Sequence, residues 1–145
     1  MRKSEILNLK WICVNFVENE ICILDPKNGK KHSVPMSKVL REVLEKKYKT
    51  EFENEYVFTN PETGTKYNDI KKAFKTVCKI AQVEDFRFHD LRHTSATRMV
   101  QACVPINVVQ KILNHASVTT TMRYSHTMRE QEQNAVELLS SYSVA

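Results

Sequence analysis

Apolar positions along most of this chain recur every three or four residues, the period of helices with one buried face. One stretch near the start breaks that rhythm. Residues 11–17 and 20–25 carry alternating or continuous apolar positions rich in Ile and Val, the pattern of strands. Asn28-Gly29 follows, and both residues tolerate positive φ, so a tight hairpin is predicted there. It joins Ile21–Leu24 to a third strand near His32–Val34, which Pro35 ends. The expectation is a small three-stranded antiparallel sheet near the N-terminus.

Helical patterns surround that sheet. Residues 3–9 read as a short helix. Ser37 caps a second that runs to about Tyr48, with Val39, Leu40, Val43 and Leu44 on one side. Residues 49–67 are polar and loop-like, broken by Tyr56-Val57-Phe58 and by a turn at Pro61–Gly64. Asn68 or Asp69 caps a helix whose apolar face is Ile70, Ala73, Phe74, Val77, Cys78 and Ala81. The next spans about His89 to Cys103, with Leu91, Ala96, Met99 and Val100 as core positions. Pro105 suits the first turn of a helix ending at Leu113. Residues 117–124 are weakly helical, because Val118 and the Thr119–Thr121 run are β-branched. A last helix covers residues 128–140 or so. The fold class is therefore α+β and mostly α-helical, without internal repeats.

A chain of 145 residues suits one domain. At this size roughly 70% of the unfolded surface is buried on folding, so no disulfide or metal staple is required. The 22 Lys and Arg outnumber 17 acidic residues, giving a net charge of +5 and favouring a polyanionic partner. Cys13, Cys22, Cys78 and Cys103 form no CxxC pair and sit in apolar contexts, as buried, reduced thiols of a cytoplasmic protein do. No apolar run approaches a membrane span and no signal peptide opens the chain, so no membrane role is expected.

Candidate chemistry concentrates in the C-terminal half. His89 and Arg92 stand three apart and share one face of a helix. That face offers a guanidinium for a phosphate and an imidazole for proton transfer. Leu113-Asn114-His115 follows, and Tyr124 stands nine positions beyond that histidine. A phenol gives up its proton only near pH ~10, so a tyrosine nucleophile needs neighbouring cations and a base. His93 is read as a helix-packing residue, and His32 and His126 as surface residues. Tyr142 is a weaker rival nucleophile.

HDLRHTSATRMV followed by ILNHASVTTTMRYSH resembles the C-terminal catalytic half of the tyrosine recombinases, the phage-integrase family. Upstream, RKSEILNLKW resembles that family's arginine motif and ILDPKNGKKHSVPM its lysine hairpin, so the likeness covers nearly the whole chain. It implies site-specific recombination of double-stranded DNA, of the integration or excision type, through a 3′-phosphotyrosyl intermediate and without a cofactor. Tyr124 is then the nucleophile. Arg2, Arg92 and His115 hold the phosphate, and His89 takes the tyrosine proton or hydrogen-bonds a phosphate oxygen. Lys27 is the acid that protonates the leaving 5′-oxygen, with Lys30 and Lys31 as close competitors. The resemblance also implies self-association on DNA, as a tetramer of the full-length protein. Residues 1–145 are read as a catalytic domain truncated at its N-terminal side, with the family's separate N-terminal DNA-binding domain absent. Docking of the last helix, through Val136, Leu138 and Leu139, stays open between this chain and a neighbouring subunit. Cys103 and Asn114 stand where many members carry glycine.

Two other classes compete. His89 and His93 at i and i+4 imitate a zinc-hydrolase helix, although Asp90 stands where that motif needs Glu and no third ligand follows. A non-catalytic DNA-binding module is the second, although every matched catalytic position carries the right residue type.

Overall fold

A computed structural model describes residues 1–24, 31–124 and 129–142 of the chain. The chain divides into two compact units, Met1–Phe88 and His89–Ala145.

The first unit opens with helix α1, Lys3–Leu7, and a 3-10 turn at Trp11–Cys13. Strands β1 (Val14–Asn15), β2 (Glu20–Leu24) and β3 (Lys31–Pro35) form one antiparallel sheet in that order. The register pairs Ile21 with Val34 and Leu24 with Lys31, as a hairpin requires. The hairpin tip itself, with Lys27 and Asn28-Gly29, lies outside the described residues. Leu9, Trp11, Val14, Ile21, Ile23, Met36, Leu44 and Val57 make the core of this unit.

The predicted first strand is mostly not a strand, and turn chemistry explains it. Trp11 is held by its indole N–H, which donates to the Glu51 carbonyl at 3.1 Å. The Asn15 side chain accepts from the backbone N–H of Val17 and of Glu18, closing a turn straight after Asn15. Asn19 then adopts a left-handed φ of 56°, and Asn19 and Met36 exchange hydrogen bonds of 2.9 Å.

Helix α2, Lys38–Glu51, is capped by the Ser37 hydroxyl as the sequence predicts. Its inner face is a different one. Only Leu44 of the expected stripe is buried, while Val39, Leu40 and Val43 are exposed. Leu44 is buried and Arg41 and Glu51 are half-buried, while Tyr48 is exposed at one edge of the ring cluster. Arg41 donates to the Phe16 carbonyl, and the Tyr48 ring meets Trp11 edge-on at 5.1 Å. Val57 is completely buried and ties its loop to the core through a 2.8 Å bond to the Leu9 carbonyl. Helix α3, Lys71–Ile80, receives its cap from Asp69, which accepts from the N–H of Ile70 and of Lys71. Its expected apolar face is not buried: Phe74 packs on Phe86 and Phe88, but Ala73, Val77 and Ala81 are exposed.

The second unit contains α4 (Asp90–Gln101), α5 (Ile106–Leu113), α6 (Val118–Met122) and α7 (Arg129–Tyr142). Helix α4 packs on α5, and α5 on α6. Ala96, Val100, Val109, Leu113 and Tyr124 are its core. Leu91 is exposed rather than buried, because the inward stripe of α4 runs through Arg92, Ala96 and Val100 at i, i+4, i+8.

Helices α3, α4 and α5 end in the same way. The N–H of Val83, Val104 and His115 reaches back to the carbonyl of Cys78, Met99 and Gln110, while Gln82, Cys103 and Asn114 stand in the left-handed region. This is the Schellman ending, which usually takes glycine. The four cysteines are free, but none is buried: Cys13, Cys22 and Cys78 are half-buried and Cys103 is exposed on its turn. His32 is half-buried rather than on the surface, and its Nε2 has no hydrogen-bond partner among the described residues. No helix among the described residues is long and apolar enough to cross a membrane.

Candidate active site

Arg92 sits on the buried stripe of α4, a position that otherwise holds Ala96 and Val100. Its guanidinium donates to the carbonyl of Leu113, the last residue of α5. A cation there meets the negative end of a helix dipole, and a carbonyl without an intrahelical partner is satisfied. The packing of α4 on α5 therefore fixes the guanidinium.

Beyond Leu113 the chain turns sharply because Asn114 takes a φ of 51°. The turn is locked from both sides. The His115 N–H donates to the Gln110 carbonyl at 3.1 Å, and the Gln110 amide returns a bond to the His115 carbonyl at 3.0 Å. The His115 ring is held in turn by Thr121, whose hydroxyl lies 2.9 Å from Nδ1. Thr121 is completely buried. In the sequence it reads only as one of four β-branched residues weakening a helix. In the fold it orients the imidazole. Ser117 caps the short α6 that carries it, accepting from the Thr119 N–H.

Tyr124 follows α6 directly and is 9% exposed, its ring packed in the core of the unit. Its hydroxyl lies 2.6 Å from Nδ1 of His93. His93, read from the sequence as a packing residue, is thus an imidazole in direct contact with the candidate nucleophile. The signal was the i, i+4 spacing of His89 and His93, which in the sequence suggests only a zinc-hydrolase pattern. Their rings stand 4.8 Å apart and nearly perpendicular, at 81°. His89 itself is exposed and occupies the cap position of α4.

The profile of the phage integrase family matches residues 1–131, the whole run from the arginine motif through Tyr124. The chain belongs to the phage integrase family. It is 33% identical over 140 residues to the integrase of Salmonella phage P22, covering 87% of this chain and 36% of that protein. It is 31% identical over 144 residues to the tyrosine recombinase XerA of Pyrococcus horikoshii, covering 94% of this chain and 50% of that one. The chain thus spans half or less of the length of these two relatives. Among solved structures, a XerA recombinase superposes with a TM-score of 0.80 at 28% identity, over 92% of this chain and 53% of that one. A XerH recombinase bound to its palindromic difH substrate superposes with a TM-score of 0.78 at 26% identity, over 97% of this chain and 42% of that one.

The integrase-family candidates fall into separate groups. His89, Arg92, His115 and Tyr124 all belong to the second unit, on α4 and on the segments that follow α5 and α6. Arg2 belongs to the first unit. There its guanidinium pairs with Glu5 at 2.8 Å, and its backbone N–H donates to the same carboxylate. Partial burial works against ionisation of Glu5. The backbone N–H and guanidinium of Arg2 outweigh it and hold the carboxyl below its ordinary value of 4.5. Lys27 lies outside the described residues. Tyr142, the rival nucleophile, is exposed at the end of α7. Among the described residues no three His, Cys, Asp or Glu side chains converge as metal ligands.

Proposed function

We propose that this chain carries the catalytic centre of a site-specific DNA recombinase of the integration or excision type. One observation carries the reading: a buried arginine, an oriented histidine and a tyrosine hydroxyl paired with an imidazole are assembled within one compact unit. Membership of the phage integrase family and the likeness to recombinases solved with DNA support the same chemistry.

In this reading the Tyr124 oxygen attacks the scissile phosphorus. A 3′-phosphotyrosyl bond forms, and the bond to the 5′-oxygen breaks. Arg92 neutralises charge on the non-bridging oxygens, and its planar fork of donors matches two of them. In the tautomer whose Nδ1 accepts from the Thr121 hydroxyl, His115 carries its proton on Nε2, where it can point at a phosphate oxygen. Arg2 is the second clamp, and Lys27 gives its proton to the leaving 5′-oxygen. His89 keeps the two roles read from the sequence, taking the tyrosine proton or bonding a phosphate oxygen. The phosphotyrosyl link conserves bond energy, so a 5′-hydroxyl reverses the step without a high-energy cofactor. Double-stranded DNA is the partner, the full-length protein assembles on it as a tetramer, and the location is cytoplasmic.

Covalent trapping on a nicked suicide duplex tests this. DNA flanking the gene supplies the substrate, and the chain in its full natural length is compared with Tyr124→Phe. An adduct lost in Tyr124→Phe is the expected result. An adduct surviving that substitution sinks the assignment of Tyr124.

A further inference from the structure

We propose that His93 is the residue that accepts the proton of Tyr124, leaving His89 to bond a phosphate oxygen. The proposal rests on the reading of Tyr124 as nucleophile. Its ground is the 2.6 Å approach of His93 Nδ1 to the Tyr124 hydroxyl.

Three features make that contact more than packing. The Tyr124 ring is packed with Ala96, Val100, Val109 and Leu113, and its part-buried hydroxyl meets a group that can act as a base. The two groups come from segments 31 residues apart, so the contact is set by the fold rather than by local geometry. The His93 ring is also restrained. It is anchored on α4 one turn from His89, whose ring stands edge-to-face against it at 81°, and it lies 5.8 Å from the Tyr124 ring. A base held within hydrogen-bond reach of the proton it removes is the geometric requirement for general base catalysis.

The proton balance closes without a further reactant. As the Tyr124 oxygen bonds to phosphorus, its O–H bond breaks and the proton passes to Nδ1, giving an imidazolium. The 5′-oxygen leaves with a proton from the separate acid. In rejoining, the 5′-hydroxyl gives its proton back to the conjugate base of that acid as it attacks phosphorus, the phenolic oxygen departs, and His93 returns the proton to it. The reaction therefore needs His93 in the Nε2–H tautomer, with Nδ1 free to accept.

Two measurements decide it. Nitrogen-15 NMR of the imidazoles, with Tyr124→Phe assigning the His93 signals, reads the tautomer of the chain itself. Nε2–H is expected. Protonation at Nδ1 in the neutral ring overturns the proposal.

The second compares His93→Asn with the wild type in single-turnover cleavage of the nicked duplex, using the chain in its full natural length. Asparagine keeps a hydrogen-bonding group near the Nδ1 position but takes up no proton. A loss on the order of 10²-fold is expected. The loss should persist on a duplex with a 5′-bridging sulfur, which departs without needing an acid. Wild-type cleavage by His93→Asn, or a loss that disappears with the sulfur leaving group, overturns the assignment. If the wild type forms no adduct, or Tyr124→Phe still does, the nucleophile reading fails first and takes this proposal with it.

Discussion

The guanidinium of Arg92 donates to the carbonyl of Leu113, so the arginine assigned to the phosphate also closes the end of α5. The two roles separate in Arg92→Lys. A lysine keeps the charge but loses the planar fork that can serve a carbonyl and a phosphate together. Cleavage is expected to fall by at least about 10²-fold, the loss typical of a missing charge-stabilising donor. Folding stability should fall by only about 1–2 kcal/mol, the cost of a weakened buried hydrogen bond. Single-turnover cleavage and urea unfolding of the same variant check both.

Thr121 is placed to influence the chemistry proposed for His115. Thr121→Val keeps the shape and β-branching but leaves His115 Nδ1 without the hydroxyl it meets at 2.9 Å. Outer partners of this kind are worth about 10–100-fold in metal sites, and a loss of that order in cleavage is expected here. DNA affinity, measured in parallel, should be little changed. A variant as active as the wild type would mean that Thr121 only fills space.

Cys103 and Asn114 have φ of 57° and 51°, conformations that cost a residue with a Cβ roughly 1–2 kcal/mol. Cys103→Gly removes that strain from an exposed side chain, at the expense of some unfolded-state entropy. A net gain of up to about 1 kcal/mol in urea unfolding is expected. Asn114→Gly should gain less, because asparagine visits this region more readily.

Glu5 governs the pH response of α1. Its folded carboxyl titrates below 4.5 because Arg2 favours the charged form. The stabilisation is fully present above the unfolded value and fades as pH falls through the lower folded one. Acid unfolding followed by circular dichroism should show this component in the wild type and not in Glu5→Gln. The same substitution frees the Arg2 guanidinium at neutral pH.

Helix α3 exposes Lys71, Lys72, Lys75 and Lys79, three of them at i, i+4, i+8. Such a stripe suits a phosphate backbone. If it contacts DNA, Lys75→Gln with Lys79→Gln should lower the slope of log affinity against log salt by up to about 2. An unchanged slope, read by fluorescence anisotropy on a non-specific duplex, places the DNA elsewhere.

Much of this was legible in one dimension. The antiparallel pairing of β2 with β3 was legible as a hairpin, but its register was not: Leu24 pairs with Lys31, two positions away from the partner that a two-residue Asn28-Gly29 turn would impose. The left-handed turns at Cys103 and Asn114 fall where the resembled family often carries glycine. The strand expected over residues 11–17 is cut to Val14–Asn15 by the 3-10 turn at Trp11–Cys13 before it and the Asn15 side-chain turn after it, neither of which apolar alternation records. The apolar faces of α2 and α3 were misjudged for a related reason. Arg41 is drawn in by the Phe16 carbonyl and the Tyr48 ring packs on Trp11 and Phe16, partners that the sequence places far away.

What the sequence determined by itself was the set of residue types, their order and the periodicities that make the elements, since these depend on neighbours a few positions apart. Those were enough to point at His89, Arg92, His115 and Tyr124. Which imidazole meets the tyrosine, which hydroxyl orients His115, and why an arginine is buried were decided by tertiary structure. His93 reaches Tyr124 across 31 positions, and Arg92 reaches Leu113 across 21. Contacts at that separation exist only once helices pack, and no local preference encodes them.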